Sequence, residues 1–177
     1  MSRVGGQDVF WRKKVVKYVP DKPNLILLDL ATGTADQVIT LVKKCKNIDR
    51  AIGIDISENM LNIAKKKLTK LNLNDKISLK KKDITRLNFA DNFIDIVSIS
   101  FGIRNLVNIE QIISEIYRIL KPTGVFIVLE FSMPENNIIR KIYLFYFRKI
   151  LPKIGSLISG DKNAYYYLNQ SVEEFPY

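Results

Sequence analysis

The residue types able to do chemistry in this chain fall at the ends of apolar runs. Asp29 follows Leu25-Ile26-Leu27-Leu28, Asp55 stands near the end of Arg50 to Ile56, and Asp83 follows Ile77 to Lys82. Ser100 closes to the end of Ile94 to Phe101, with Arg104 and Asn105 just beyond it, and Glu130 stands near the end of Val125 to Phe131. An acid at the end of a second strand suits a ribose, whose two hydroxyls can both donate to one carboxylate. The sequence contains no histidine. A Ser-His-Asp hydrolase is thereby excluded, and a general base must be a carboxylate, Tyr, Lys or a bound water. Cys45 is the single cysteine, so the chain has no internal disulfide and no thiolate cluster for a metal.

The loop after Asp29 is the second signal. Ala31-Thr32-Gly33-Thr34-Ala35 keeps its side chains short, so a ligand can approach the backbone and the first turn of the following helix. A dinucleotide site calls for Gly-x-Gly-x-x-Gly to admit a pyrophosphate. Here there is one glycine, and Asp36 follows, an anion badly placed for a phosphate but suited to a sulfonium and an ammonium group. Asp83 with Ile84 is spaced to bracket an adenine by polar and apolar contact. These residues favour an S-adenosylmethionine site, and they leave open a nucleotide site or a tight strand-to-helix connection with no ligand.

Such residues need a scaffold that brings strand ends together. Leu25 to Leu30 reads as a buried parallel strand, Arg50 to Ile56 as a second, Ile77 to Lys82 as a third of edge character, Ile94 to Phe101 as a fourth and Val125 to Phe131 as a fifth. Between them lie helical patterns: Val38, Ile39, Leu41 and Val42; then Met60, Leu61, Ala64, Leu68 and Leu71 behind a Ser57 N-cap; then Ile109, Ile112, Ile113, Ile116, Ile119 and Leu120, stopped by Lys121-Pro122-Thr123-Gly124. The lysines of the second helix read as a solvated face. The alternation predicts an α/β fold, a doubly wound, mostly parallel, Rossmann-like sheet with ligands outside the carboxyl ends of the strands. Phe10 to Val19 is expected as a short amphipathic helix, with Phe10, Trp11, Val15, Val16 and Val19 packing on the domain. The expected organisation is one domain over residues 1–177: an N-terminal helix and linker at 8–24, a ligand-binding core at 25–131 and a helical substrate region at 132–177.

At 177 residues and 47% hydrophobic content the chain supports a sizeable core. Lys and Arg outnumber Asp and Glu by 28 to 18, a net charge of +10. That permits attraction to anionic surfaces, while the abundance of Lys, Ile and Asn also reads as compositional drift. The first residues lack the apolar core of a signal peptide and no run reaches bilayer-spanning length, so a cytoplasmic location is expected.

Several segments together resemble the ubiquinone/menaquinone biosynthesis C-methyltransferase family. They are Leu28-Asp29-Leu30-Ala31-Thr32-Gly33-Thr34-Ala35-Asp36, Asp55-Ile56-Ser57-Glu58-Asn59-Met60-Leu61, Ile99-Ser100-Phe101-Gly102-Ile103-Arg104-Asn105, Arg118-Ile119-Leu120-Lys121-Pro122, Leu129-Glu130-Phe131-Ser132 and Ile154-Gly155-Ser156-Leu157. The Asp-x-x-x-Gly-x-x-Asp loop marks only the class I methyltransferase fold, whereas Ser-Phe-Gly-Ile-Arg-Asn and the later Gly-Ser-Leu segment are particular to this family. The resemblance implies that S-adenosylmethionine is bound by Thr34, Asp55, the Asp83-Ile84 pair and Ser100, on the floor that Asp29 and Gly33 help to form. It also implies further elements beyond Tyr177, a helix and two strands completing the sheet, so that the C-terminal strands are missing here.

The implied reaction is methylation of a ring carbon of a reduced, polyprenylated quinone precursor, either demethylmenaquinol or the benzoquinol step of ubiquinone synthesis. Arg104 is the candidate to stabilise the phenolate, and Asn105 to orient a hydroxyl or water; fixing the loop is the alternative role for Arg104. Glu130 reads as structural or as positioning the methyl donor. Ile138 to Ile158 mixes apolar residues with Arg140, Lys141, Arg148, Lys149 and Lys153, a pattern that serves as lid, tail channel or peripheral dock at the inner face of a membrane, or as an ordinary packed helix or homodimer interface. Asp161, Tyr165 and Tyr167 match the family and would line the quinone pocket, with aromatic packing as the alternative. A catalytically weak module binding RNA or membrane is the competing function, but no glycine-rich RNA motif or paired aromatic platform supports it, and no nucleic-acid partner is expected.

Overall fold

Leu25-Ile26-Leu27-Leu28 carries apolar side chains to both faces, so it needs cover on both sides, which only a central strand receives. In the computed structural model, which describes residues 7–132 together with Asn136, Arg140, Lys141 and Phe145, every residue of β1 (Leu25–Leu30) is buried. It pairs in parallel with β2 (Ile48–Asp55) on one side and β4 (Ile94–Ser100) on the other. β3 (Ile77–Lys81) adds to β2 and β5 (Leu120–Leu129) to β4, again in parallel, giving a five-stranded sheet of order β3-β2-β1-β4-β5 among the described residues. The chain divides into two compact units, Val9–Leu129, which holds this sheet, and a second formed by Met1–Asp8 with Glu130–Tyr177.

The strand order reverses between β1 and β4, the switch point where an open α/β sheet leaves a crevice at its carboxyl end. The crossovers place helices on both faces. Leu25 and Leu27 of β1 face α2 (Asp36–Lys44) and α3 (Glu58–Lys70), in a cluster with Val38, Leu41, Ala64 and Leu68. Ile26, Leu28 and Leu30 face the other way, toward Ile112, Ile116 and Ile119 of α4 (Ile109–Ile119). Each such side chain contributes roughly 1.5–3 kcal/mol when withdrawn from water. Ser57 caps α3, its hydroxyl accepting from the Met60 N–H at 3.4 Å.

Three details differ from the sequence reading. The N-terminal helix α1 (Gln7–Val15) continues only as a single 3-10 turn, Val16–Tyr18. Val15 is buried, but Phe10 and Trp11 remain exposed, covered by the Lys14 ammonium at 4.8 and 4.4 Å from their ring centres instead of by the domain. β5 runs from Leu120 to Leu129: the helix ends at Ile119 ahead of Lys121-Pro122-Thr123-Gly124, as expected, but that segment is held as a bulge inside the strand, between the Ile94–Leu120 and Ile96–Val125 pairs. Lys121 pins that bulge by pairing with Asp95 at 2.8 Å, and Asp95 also accepts from the Ile26 N–H at 2.9 Å. In α3, Leu61, Ala64 and Leu68 are buried, whereas Leu71, expected in the same stripe, is exposed at the helix end. Asp161, Tyr165 and Tyr167 lie outside the described residues, as does most of the basic stretch 138–158.

Among the described residues no helix is long and apolar enough to cross a membrane, and no cluster of His, Cys, Asp and Glu could hold a metal ion.

Candidate methyl-donor site

β1 ends in a carboxylate that never reaches solvent. Asp29 is 1% exposed. It accepts from the Thr32 hydroxyl at 2.6 Å and from the Ser98 hydroxyl of β4 at 2.5 Å. Burial pushes its carboxyl up to about 6, with the two hydroxyls and Arg12 acting in the opposite direction. Asp29 therefore works from beneath the loop, tying β1, its loop and β4 together.

Above it the loop turns on a run of left-handed residues, Ala31 (φ 48°), Gly33 (φ 57°) and Ala35 (φ 66°). Two of them carry a methyl group that raises the cost of this backbone. A side chain at Gly33 would meet nothing within 4 Å, so the space over the loop is open. At Gly102 a Cβ would stand 3.0 Å from the Ala31 Cβ, so the bare glycine lets the loop after β4 close onto the loop after β1.

Asp55 stands at the end of β2 beside this loop. One carboxylate oxygen accepts from the Gly33 N–H at 2.7 Å and the other from the Ser57 N–H at 2.8 Å. Each oxygen keeps a further lone pair, enough to accept one hydroxyl of a ribose apiece. Asp83, beyond β3, is exposed and accepts from the Thr85 N–H at 2.9 Å, which holds its carboxyl below the usual range. Ile84 beside it packs half-buried on the α4-side cluster. Ser100, at the end of β4, has a buried hydroxyl with no hydrogen-bond partner among the described residues. Arg104 and Asn105 sit on a 3-10 turn, Ile103–Asn105, immediately after Phe101 (φ 56°) and Gly102, with Arg104 half-buried and Asn105 exposed. Glu130, in the other unit, accepts from the Phe131 N–H at 3.0 Å.

Asp36 is not the bare anion that the sequence suggests. Lys67 of α3 reaches back to it at 2.7 Å and to the Thr34 hydroxyl at 2.9 Å, while that hydroxyl donates to Asp36 at 2.7 Å. Burial works to raise the Asp36 carboxyl, but Lys67 and Thr34 outweigh it and hold the group ionised and paired. With the Lys67 ammonium paired to it, its charge discriminates less between a cation and a phosphate than a bare acid would. What still disfavours a pyrophosphate is the loop itself, in which Ala31 and Ala35 hold methyl groups where a dinucleotide fingerprint needs bare backbone. Thr34 is left to contribute through its backbone, its hydroxyl being engaged.

The model of the ubiE/COQ5 methyltransferase family matches residues 4–177. The chain belongs to this family. It is 38% identical over 172 residues to a demethylmenaquinone methyltransferase of Bacteroides fragilis, covering 97% of this chain and 69% of that protein. It is 41% identical over 169 residues to a ubiquinone/menaquinone biosynthesis C-methyltransferase of Rickettsia prowazekii, covering 94% and 68%. In fold it is similar to a SAM-dependent methyltransferase of Aquifex aeolicus, with a TM-score of 0.65 at 24% identity over 76% of this chain and 71% of that one.

As a member of the ubiE/COQ5 family the chain is an S-adenosylmethionine-dependent methyltransferase. The residues present fit that cofactor: an acid with free lone pairs at the end of β2, an open floor at Gly33 and an unmatched buried hydroxyl at Ser100. Sequence reasoning missed Ser98 and Lys67. Ser98 is a lone polar residue inside the apolar run Ile94 to Phe101, and a polar residue within a buried strand is itself a signal of a partner. Lys67, read as part of a solvated face, carried no signal, because its reach to Thr34 depends on how α3 packs.

Proposed function

We propose that this chain transfers the methyl group of S-adenosylmethionine to a ring carbon of a reduced, polyprenylated quinone precursor, with demethylmenaquinol the favoured acceptor over the corresponding benzoquinol. In this reading Asp55 takes the ribose hydroxyls, Asp83 and Ile84 bracket the adenine, and Gly33 and Thr34 present backbone to the amino-acid end above buried Asp29. Ser100 supplies the hydroxyl that closes the cleft. S-adenosylmethionine supplies an electrophilic methyl on a sulfonium, which leaves as a neutral thioether.

The acceptor needs help because a phenol is a weak carbon nucleophile until its proton is lost and the charge is shared onto the neighbouring ring carbon. Arg104 stabilises that phenolate, and Asn105 orients the hydroxyl or the water that takes the proton. After the new carbon–carbon bond forms, the hydrogen on the methylated ring carbon leaves as a proton and the oxygen regains one, restoring the aromatic quinol. With no histidine in the sequence, both proton removals fall to a carboxylate, Tyr, Lys or a bound water. Holding the methyl and the ring carbon in line supplies much of the remaining acceleration. A polyprenyl tail keeps the acceptor in a bilayer, and the net charge of +10 favours a peripheral encounter with an anionic surface.

The observation that carries the reading is the segment Ser100 to Asn105. It sets an unmatched hydroxyl at the end of β4 and a guanidinium on the 3-10 turn that follows, packed against the methyl-donor loop through Gly102 and Ala31. Arg104→Ala is expected to lower methylation of reduced demethylmenaquinone by about 100-fold or more, the scale of a lost anion-stabilising group, while S-adenosylmethionine affinity stays nearly unchanged. Lost affinity for S-adenosylmethionine, or unchanged turnover, would overturn the role given to Arg104.

A further inference from the structure

We infer that Arg12 of α1 and Gln37 of α2 form a carboxylate subsite for the amino-acid end of the methyl donor; the inference rests on reading the cleft as an S-adenosylmethionine site. Gln37 is in the first turn of α2 and is 1% exposed. Arg12 Nη1 donates to its Oε1 at 3.5 Å. That contact sets the amide's orientation, because the reverse flip would turn two donors toward each other. Gln37 Nε2 is then left buried and without an acceptor among the described residues, and Arg12 Nε is buried and unmatched as well.

Neighbouring acids do not supply the missing acceptor. Asp29 is committed to Thr32 and Ser98, and Asp36 to Thr34 and Lys67, and Arg12 makes no ion pair among the described residues. The guanidinium lies 5.1 Å from the centre of the Phe101 ring, on the residue between Ser100 and Gly102, which places it beside the start of the loop after β4. Two buried nitrogen donors, one of them cationic, at the edge of the methyl-donor loop fit a carboxylate, which accepts from both and balances the charge. The ligand class is an α-amino acid end attached to a nucleoside. Such a subsite distinguishes nucleosides that carry this end from those that lack it.

The test compares S-adenosylhomocysteine, which has the carboxylate, with 5′-methylthioadenosine, which does not, by calorimetric titration of the wild type, Arg12→Met and Gln37→Met. Both variants are expected to weaken S-adenosylhomocysteine by roughly tenfold or more, as for a lost charge-assisted hydrogen bond, and to leave 5′-methylthioadenosine within about twofold. Gln37→Met removes the unmatched Nε2 together with the long contact to Arg12, and a thermal midpoint taken beside each titration shows that the variant is folded, so that a loss specific to S-adenosylhomocysteine separates a binding role from a structural one. Equal weakening of both nucleosides, or of neither, overturns the subsite alone. If the wild type binds neither nucleoside, the underlying reading of the cleft fails together with the subsite.

Discussion

Burial beneath the loop raises the Asp29 carboxyl to about 6, so the folded protein holds this proton more tightly than the unfolded chain, where the group titrates near 4. A carboxyl shifted upward contributes stability that is present below about pH 4 and is lost as the pH rises through about 6. Asn keeps the shape and one of the two acceptor oxygens, turns an amide donor toward the other hydroxyl, and cannot ionise. Asp29→Asn is therefore expected to remove about 2 kcal/mol of the stability difference between pH 4.5 and pH 7.5. Urea unfolding of both proteins at the two pH values measures it, and parallel pH profiles would show that Asp29 does not titrate in this range. The position of Asp29 was legible from the end of an apolar run; its burial was not, because that depends on Thr32 and Ser98 meeting over it. Asp36 teaches the reverse lesson. Its charge was plain in the sequence, and the lysine that cancels it lies 31 residues away on another helix.

At the scale of elements, the site depends on how closely two loops approach. Gly102 has an ordinary φ of −127°, so its lack of a side chain serves the 3.0 Å approach to Ala31 and not a strained turn. Gly102→Val drives a branched side chain between the loops after β1 and β4. It is expected to cost about 1–3 kcal/mol of stability, as overpacking does, and to weaken S-adenosylmethionine binding at a temperature where the variant is still folded. Denaturation and calorimetry on the same samples measure both, and unaltered affinity would show that the loops need not touch for the cleft to form. The strands and helices that set this approach were readable from periodicity, since β1 and β4 carry apolar runs that tolerate no solvent-exposed face. The bulge at Lys121 to Gly124 was not, because its partner is Asp95 on the neighbouring strand. Nor was the exposure of Phe10 and Trp11, where a lysine supplies the cover that the domain does not.

At the scale of the molecule, reversal of strand order between β1 and β4 gathers the ends of β1, β2 and β4 into one crevice. Residues separated by as many as 69 positions, Asp29 and Ser98, then share a hydrogen bond. In the proposed reaction the methyl donor and its acceptor would meet in that crevice, and the most direct trial of the proposal is to follow the methyl group itself. The chain would be incubated with S-adenosylmethionine carrying a deuterated methyl and with reduced demethylmenaquinone in lipid vesicles, the product being read by mass spectrometry and by carbon NMR. The expected product is heavier by one labelled methyl, bonded to a ring carbon. Label on a phenolic oxygen, or no labelled quinone while the methyl donor binds saturably, would contradict the proposal.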